Sequence, residues 1–230
     1  GALGYLGLLA HQLGHSDTGI DLLRRAIASD KRSAEPHYNL ARVLSDCGRD
    51  DEAIVHNRKV LEISPDFPGA HNNLAALLLL HGRSSEALTI AADGLRTDDT
   101  AGLRSTFVMA LRSLDPAVVK LDPNIIQLLV RALREPWCRP RDLSAAAGVI
   151  LLRSPAMARC VERLSHAGSA RLAELFTRDD LALLHGDGLL EALLGTSPVT
   201  TVEIERVLTA VRRALLSEIA SGAFEAFEAW

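Results

Sequence analysis

The sequence predicts an all-α protein, with stacked helix-turn-helix repeats over its first half and a second helical domain after them. Three observations carry this reading. Gly14, Gly48 and Gly82 stand 34 residues apart and then 34 again, and a period of that length is the signature of stacked helix pairs. Apolar residues make up 48% of the 230 positions while aromatics make up only 4%. Ala and Leu dominate, which suits helices packed through small and γ-branched side chains. No run of alternating β-branched residues is bounded by turn chemistry, so strand signals are absent.

The repeats come first, over residues 1–99. Leu6, Leu40 and Leu74 share one phase of the period, and Gly7, Ala41 and Ala75 share the next. Gly19, Ala53 and Ala87 recur in another, as do Ala26, Val60 and Gly94. Small residues recur where helices approach closely, and large apolar ones recur where they interdigitate. Each periodic glycine lies between an apolar and a polar helical stretch, the place of a helix C-terminal residue with a left-handed backbone. A helix over 101–114 then caps the stack or opens a fourth unit.

These residues resemble the tetratricopeptide repeat. The run Tyr38-Asn39-Leu40-Ala41, Gly48-Arg49, Glu52-Ala53-Ile54 and Ile63-Ser64-Pro65 forms one unit, and Asn72-Asn73-Leu74-Ala75, Gly82-Arg83 and Glu86-Ala87-Leu88 the next. The first unit keeps Leu6-Gly7, Gly14 and Ala26. The chain departs from the family at the leading aromatic, which is Leu3, His37 and His71 here, and at the closing proline, present only as Pro65. The resemblance implies a right-handed superhelix of three repeats plus a capping helix over 1–114. It also implies a concave groove, lined by the first helix of each unit, that binds a protein or peptide.

The second domain is expected over 115–230. Pro116, Pro123, Pro136, Pro140, Pro155 and Pro198 punctuate it, and proline suits a first helical turn but breaks an interior. Helices are expected at 123–134, 141–153, 155–166, 169–176, 178–185, 187–194 and 201–220, with Gly186-Asp187-Gly188 as a helix-helix turn. Thr200 and Glu203 form a capping box for the last long helix. Its stripe of Ile204, Val207, Leu208, Val211 and Leu215 packs within the domain, docks a further domain or makes an oligomer. Another helix starts near Ala223. The missing initiator Met and an ending inside a helix point to a piece of a longer protein.

This half resembles the helical region of bacterial proteins that join tetratricopeptide repeats to an S-adenosylmethionine-dependent methyltransferase domain. The likeness rests on Leu133-Arg134-Glu135-Pro136-Trp137, Arg139-Pro140, Asp142-Leu143, the run from Leu189 to Leu194, Ser197-Pro198-Val199 and the run from Glu203 to Leu216. It implies methyl transfer, with S-adenosylmethionine as cofactor, in a longer protein. No glycine-rich loop following a strand is present to hold that cofactor, so none is expected in this stretch.

Other chemistry finds little support. A net charge of −4 argues against a nucleic-acid surface. No apolar run reaches membrane-spanning length. Cys47, Cys138 and Cys160 lack disulfide or zinc spacing and read as free thiols of a reducing, cytoplasmic compartment. His11 and His15 stand four apart, but Gly14 ends their helix and no third ligand accompanies them. No GxSxG elbow occurs. Glu162 with Glu174, or Asp179 with Asp180, are the carboxylate pairs available, and the adjacent aspartates diverge on a helix. No catalytic or metal site is expected.

Binding is the better-supported function. Asn39 and Asn73 occupy one phase on successive first helices. A repeated amide offers a donor and an acceptor to a peptide backbone. Tyr5 stands in that phase in the first unit, and Tyr38, Arg42, Asn72 and Ala76 are expected to share the groove. This ladder, with Ser64-Pro65-Asp66-Phe67 and His71-Asn72-Asn73-Leu74, is similar to the repeats of O-linked N-acetylglucosamine transferases. The alternative to binding is that the asparagines bond between helices. The expected function is a protein- or peptide-binding module that supplies a methyltransferase with substrate. The alternatives are a stand-alone scaffold or oligomerisation protein, and the helical half of an active site completed elsewhere.

Overall fold

A computed structural model describes residues 2–119, 122–166, 176, 178–198 and 201–220. These form helices only: α1 Ala2–Gln12, α2 Ser16–Ser29, α3 Ala34–Asp46, α4 Asp50–Ile63, α5 Ala70–Leu80, α6 Ser84–Gly94, α7 Ala101–Ser113, α8 Pro123–Arg134, α9 Arg141–Leu152, α10 Pro155–Ser165, α11 Arg178–His185, α12 Gly188–Thr196 and α13 Val202–Ala220. The all-α expectation holds. The chain divides into two compact units, Gly1–Ser113 and Leu114–Trp230.

In the first unit α1 pairs with α2, α3 with α4 and α5 with α6, and each second helix packs on the next first helix. The three periodic glycines close the first helices as the sequence predicts. Gly14, Gly48 and Gly82 have φ of 85°, 72° and 70°. In each turn the glycine N–H bonds the carbonyl three residues back and the next N–H bonds the one five back, as from Gly48 to Ser45 at 2.9 Å and Arg49 to Leu44 at 2.8 Å. These bonds satisfy carbonyls that the helix end would leave unpaired.

The small-residue phases mark where paired helices cross. A Cβ on Gly19 would lie 2.6 Å from the Gly7 carbonyl oxygen, and one on Gly7 would lie 2.7 Å from Leu23 Cγ. Ala41 with Ala53 and Ala75 with Ala87 hold the same phases in the next two pairs and are fully buried. The large-residue phase interdigitates in the stack, so Leu40 and Leu74 are buried. Leu6, with no helix against that face among the described residues, is 50% exposed.

A periodic ion ladder also links the second helices. Arg24 pairs with Glu52, which Arg49 also meets at 2.6 Å. One period later Arg58 pairs with Glu86 at 2.6 Å, and Arg83 meets Glu86 at 2.7 Å. Arg24 with Arg58, Arg49 with Arg83 and Glu52 with Glu86 each stand 34 residues apart in the sequence. α7 closes the unit against α5 and α6, with Phe107, Leu103 and Leu111 buried.

The second unit is built from capped, proline-started helices. Asp122 accepts from Asn124 N–H ahead of Pro123, and Ser154 accepts from Met157 N–H ahead of Pro155. Asp187 caps α12 through the Leu189 and Leu190 amides, so the Gly186–Gly188 turn is a helix start with a carboxylate at its positive end. α12 packs on α8 and α9, and α13 packs on α9 and α10. Of the α13 stripe, Ile204 and Val207 are buried, with Ala210 beside them, while Leu208 and Val211 are half-buried. The Leu215 side chain, Thr200 of the capping box, most of the helix expected at 169–176 and the helix expected near Ala223 lie outside the described residues.

Candidate partner-binding groove

α3 and α5 do not pack closely on each other. A cleft of about 270 Å³ lies between them, lined by Arg42, Ser45 and Asp46 of α3, by Asn73, Ala76 and Leu80 of α5, and by Asn57 of α4. Arg42, Asn73 and Ala76, all expected in the groove, are therefore brought together. Asn39, also expected there, is 6% exposed and is not part of that lining, and no side-chain hydrogen bond between helices engages it or Asn73 among the described residues.

The other expected residues sit elsewhere. Tyr38 packs against Phe67, with ring centroids 4.9 Å apart, in a cluster with Ala34, Val60 and Ala70. The Tyr38 hydroxyl lies at the turn of Gly69, whose φ is 76°. Asn72 abuts Gly102 at the start of α7, and its Oδ1 is buried without a partner. Tyr5 is 66% exposed on α1. The 34-residue phase assigned these residues a shared face but did not show which neighbour each one meets.

The cleft's polar groups fall into two kinds. Asp46 Oδ2 lies 3.1 Å from His11 Nε2, and Ser45 Oγ donates to Asp50 Oδ1 at 3.4 Å. His11 also meets Ser16 Oγ at 3.0 Å, so its ring ties α1 to α3. Arg42, Asn73 and the Asn57 Oδ1 are unengaged by protein among the described residues. Asn57 was not anticipated. The signal was available, because its phase carries Leu23 and Ala91 in the other pairs.

His37 and His56 share a hydrogen bond between Nδ1 atoms 2.9 Å apart. Burial holds both below the usual histidine range. Lys59 adds to the effect at His37. His37 and Arg24 add to it at His56, partly opposed by Glu52. Asp180 is buried and paired with Arg163 at 2.6 Å, while Asp179 is exposed. Glu174 lies outside the described residues. Burial pushes the Cys160 thiol up to about 11. Among the described residues no three His, Cys, Asp or Glu side chains gather as a metal site.

Residues 57–89 match the family model of the tetratricopeptide repeat. That match runs from within α4, through α5, into α6 of the first unit. The chain is also 41% identical to the protein O-mannosyl-transferase TMTC1 of Homo sapiens and of Mus musculus over 56 residues. That match covers 24% of this chain and only 6% of those relatives. Among solved structures, a double mutant of MamA RS-1 aligns at 16% identity over 76% of this chain and 92% of its own, with a TM-score of 0.49. TTC0263, a thermophilic tetratricopeptide-repeat protein of Thermus thermophilus, aligns at 20% identity over 82% and 98%, with a TM-score of 0.43. No helix among the described residues is long and apolar enough to cross a membrane.

Proposed function

We propose that the chain is a protein-interaction module whose repeats bind an extended peptide across the α3–α5 cleft. The observation that carries this is the set of unengaged donors and acceptors there. Arg42 and the amide of Asn73 line the cleft without protein partners, and Asn39 holds the same phase as Asn73 one helix earlier. A peptide backbone supplies the complementary N–H and C=O groups at regular spacing.

The resemblance of the second half extends the proposal. In a longer bacterial, cytoplasmic protein the module brings a polypeptide substrate to a methyltransferase domain that binds S-adenosylmethionine. The similarity to O-mannosyl-transferases covers too little of those proteins to bring their chemistry here.

The test is the double variant Asn39→Ala/Asn73→Ala of the full chain, with affinity measured for a partner isolated by pull-down. Two lost neutral hydrogen bonds weaken binding about 5- to 150-fold, with helical content unchanged by circular dichroism. An unchanged affinity sinks the groove reading.

A further inference from the structure

Asn57 is a residue that the repeat packing does not require. It lies 1% exposed on α4. Its Nδ2 donates to the Ala53 carbonyl at 3.1 Å, and its Oδ1 is buried with no partner. The neighbouring repeats place Leu23 and Ala91 at this phase, both fully buried, so the stack itself is served by an apolar side chain. A buried amide oxygen without a donor destabilises the fold. Asn57 also lines the α3–α5 cleft, so a donor entering the cleft has a route toward it.

We propose that this cleft is a side-chain pocket for a carboxamide, a glutamine or asparagine of the bound peptide; the proposal rests on the groove reading above. A carboxamide N–H₂ supplies the donor that Asn57 Oδ1 lacks. Its carbonyl oxygen accepts from the Arg42 guanidinium or the Asn73 amide, which have no protein partner. Ala41, Ala76, Leu77 and Leu80 form the apolar part of the lining and cover the methylenes of such a side chain. Charge disfavours the cationic donors, and a hydroxyl lacks the second group that would accept from Arg42 or Asn73 in a planar fork. Arg42 lines the cleft with no counter-ion among the described residues, so a lysine or arginine reaching Asn57 enters beside a like charge, which the Asp46 carboxylate offsets only in part. A carboxylate offers no donor to Asn57 and leaves its oxygen orphaned.

The test titrates the ¹⁵N-labelled chain with two capped amino acids, N-acetylglutamine methylamide and its γ-methyl ester analogue, which keeps the backbone amides and the side-chain carbonyl but has no side-chain donor. The side-chain amide signals of Asn57 and Asn73 report the contact. The amide binds about fivefold more tightly than the ester, the worth of one neutral hydrogen bond. Asn57→Leu and Asn57→Ala, which copy the neighbouring repeats, abolish that preference and raise the melting temperature. Equal binding of the two probes, no shift up to the solubility limit, or a preference that survives in both variants overturns the proposal. If the preference is absent while the Asn39/Asn73 variant still loses its partner, the carboxamide pocket fails and the groove stands.

Discussion

Replacing the periodic glycines tests the architecture most directly. At Gly48 a new Cβ meets nothing within 4 Å, so alanine there suffers no clash. Its penalty is the backbone, because φ is 72° and an L-residue in that region costs about 1–2 kcal/mol. The alanine also removes unfolded-state freedom, which returns about 0.4–1 kcal/mol. The net loss is about 1 kcal/mol for Gly48→Ala, and Gly14 and Gly82 share its φ sign and open surroundings. The three turns have no hydrogen-bond partner in common, so the triple variant loses about 3 kcal/mol by additivity. Asparagine tolerates the left-handed region, so the triple asparagine variant recovers most of the loss. Hydrogen exchange read by mass spectrometry over α3, α4 and α5 measures this apart from the second unit. Full protection in the triple alanine variant, or no recovery with asparagine, would refute the account of the turns.

Four further outcomes are expected. Since the folded-state values of His37 and His56 lie below the ordinary 6.5, the unfolded chain takes up protons first. The pair's stabilisation is complete above pH 6.5 and is lost as pH falls through the folded values. Melting scans from about pH 8 to about pH 5 therefore show a larger drop for the native chain than for His56→Leu, which places an apolar residue where Leu22 and Ile90 stand. Phe107→Ala empties a fully buried site on α7 and costs about 3–5 kcal/mol in urea unfolding. Glu86→Ala removes a half-exposed partner of Arg58 and Arg83, costs under about 1 kcal/mol and costs less in high salt. A thiol reagent at about pH 7.5 labels exposed Cys47 first, while buried Cys160, with its thiol raised to about 11, stays unlabelled until the chain unfolds, since only the thiolate attacks.

The repeat was legible in the sequence because its requirements fall on single residues. A left-handed backbone needs a glycine, and a close crossing needs Gly7 with Gly19 or Ala41 with Ala53. The site was less legible because it depends on which neighbour a side chain meets. Tyr38 and Asn72 have the phase of a shared face, yet each turns to a loop or helix start, at Phe67 and Gly69 in one case and at Gly102 in the other. Asn57 was missed for a related reason. The repeated amides of Asn39 and Asn73 fall on first helices, whereas Asn57 reaches the cleft from a second helix.

The distribution of satisfied polar groups separates the roles of the two helix sets. On and just before the second helices, Arg24 and Arg49 meet Glu52, and one period later Arg58 and Arg83 meet Glu86. These charges already have partners, and a ligand that displaced them would lose what it gained. Around the cleft the opposite holds, with Arg42, Asn73 and the Asn57 oxygen unengaged. A ligand there gains hydrogen bonds without breaking any within the protein, and at Asn57 it removes a penalty the fold already carries. That asymmetry favours the first-helix side as the binding face. It also predicts that charge reversal at Glu86 changes stability and leaves the affinity of the isolated partner unmoved, whereas Arg42→Glu lowers that affinity at constant stability. Equal effects of the two reversals on affinity would mean that the ladder face takes part in binding.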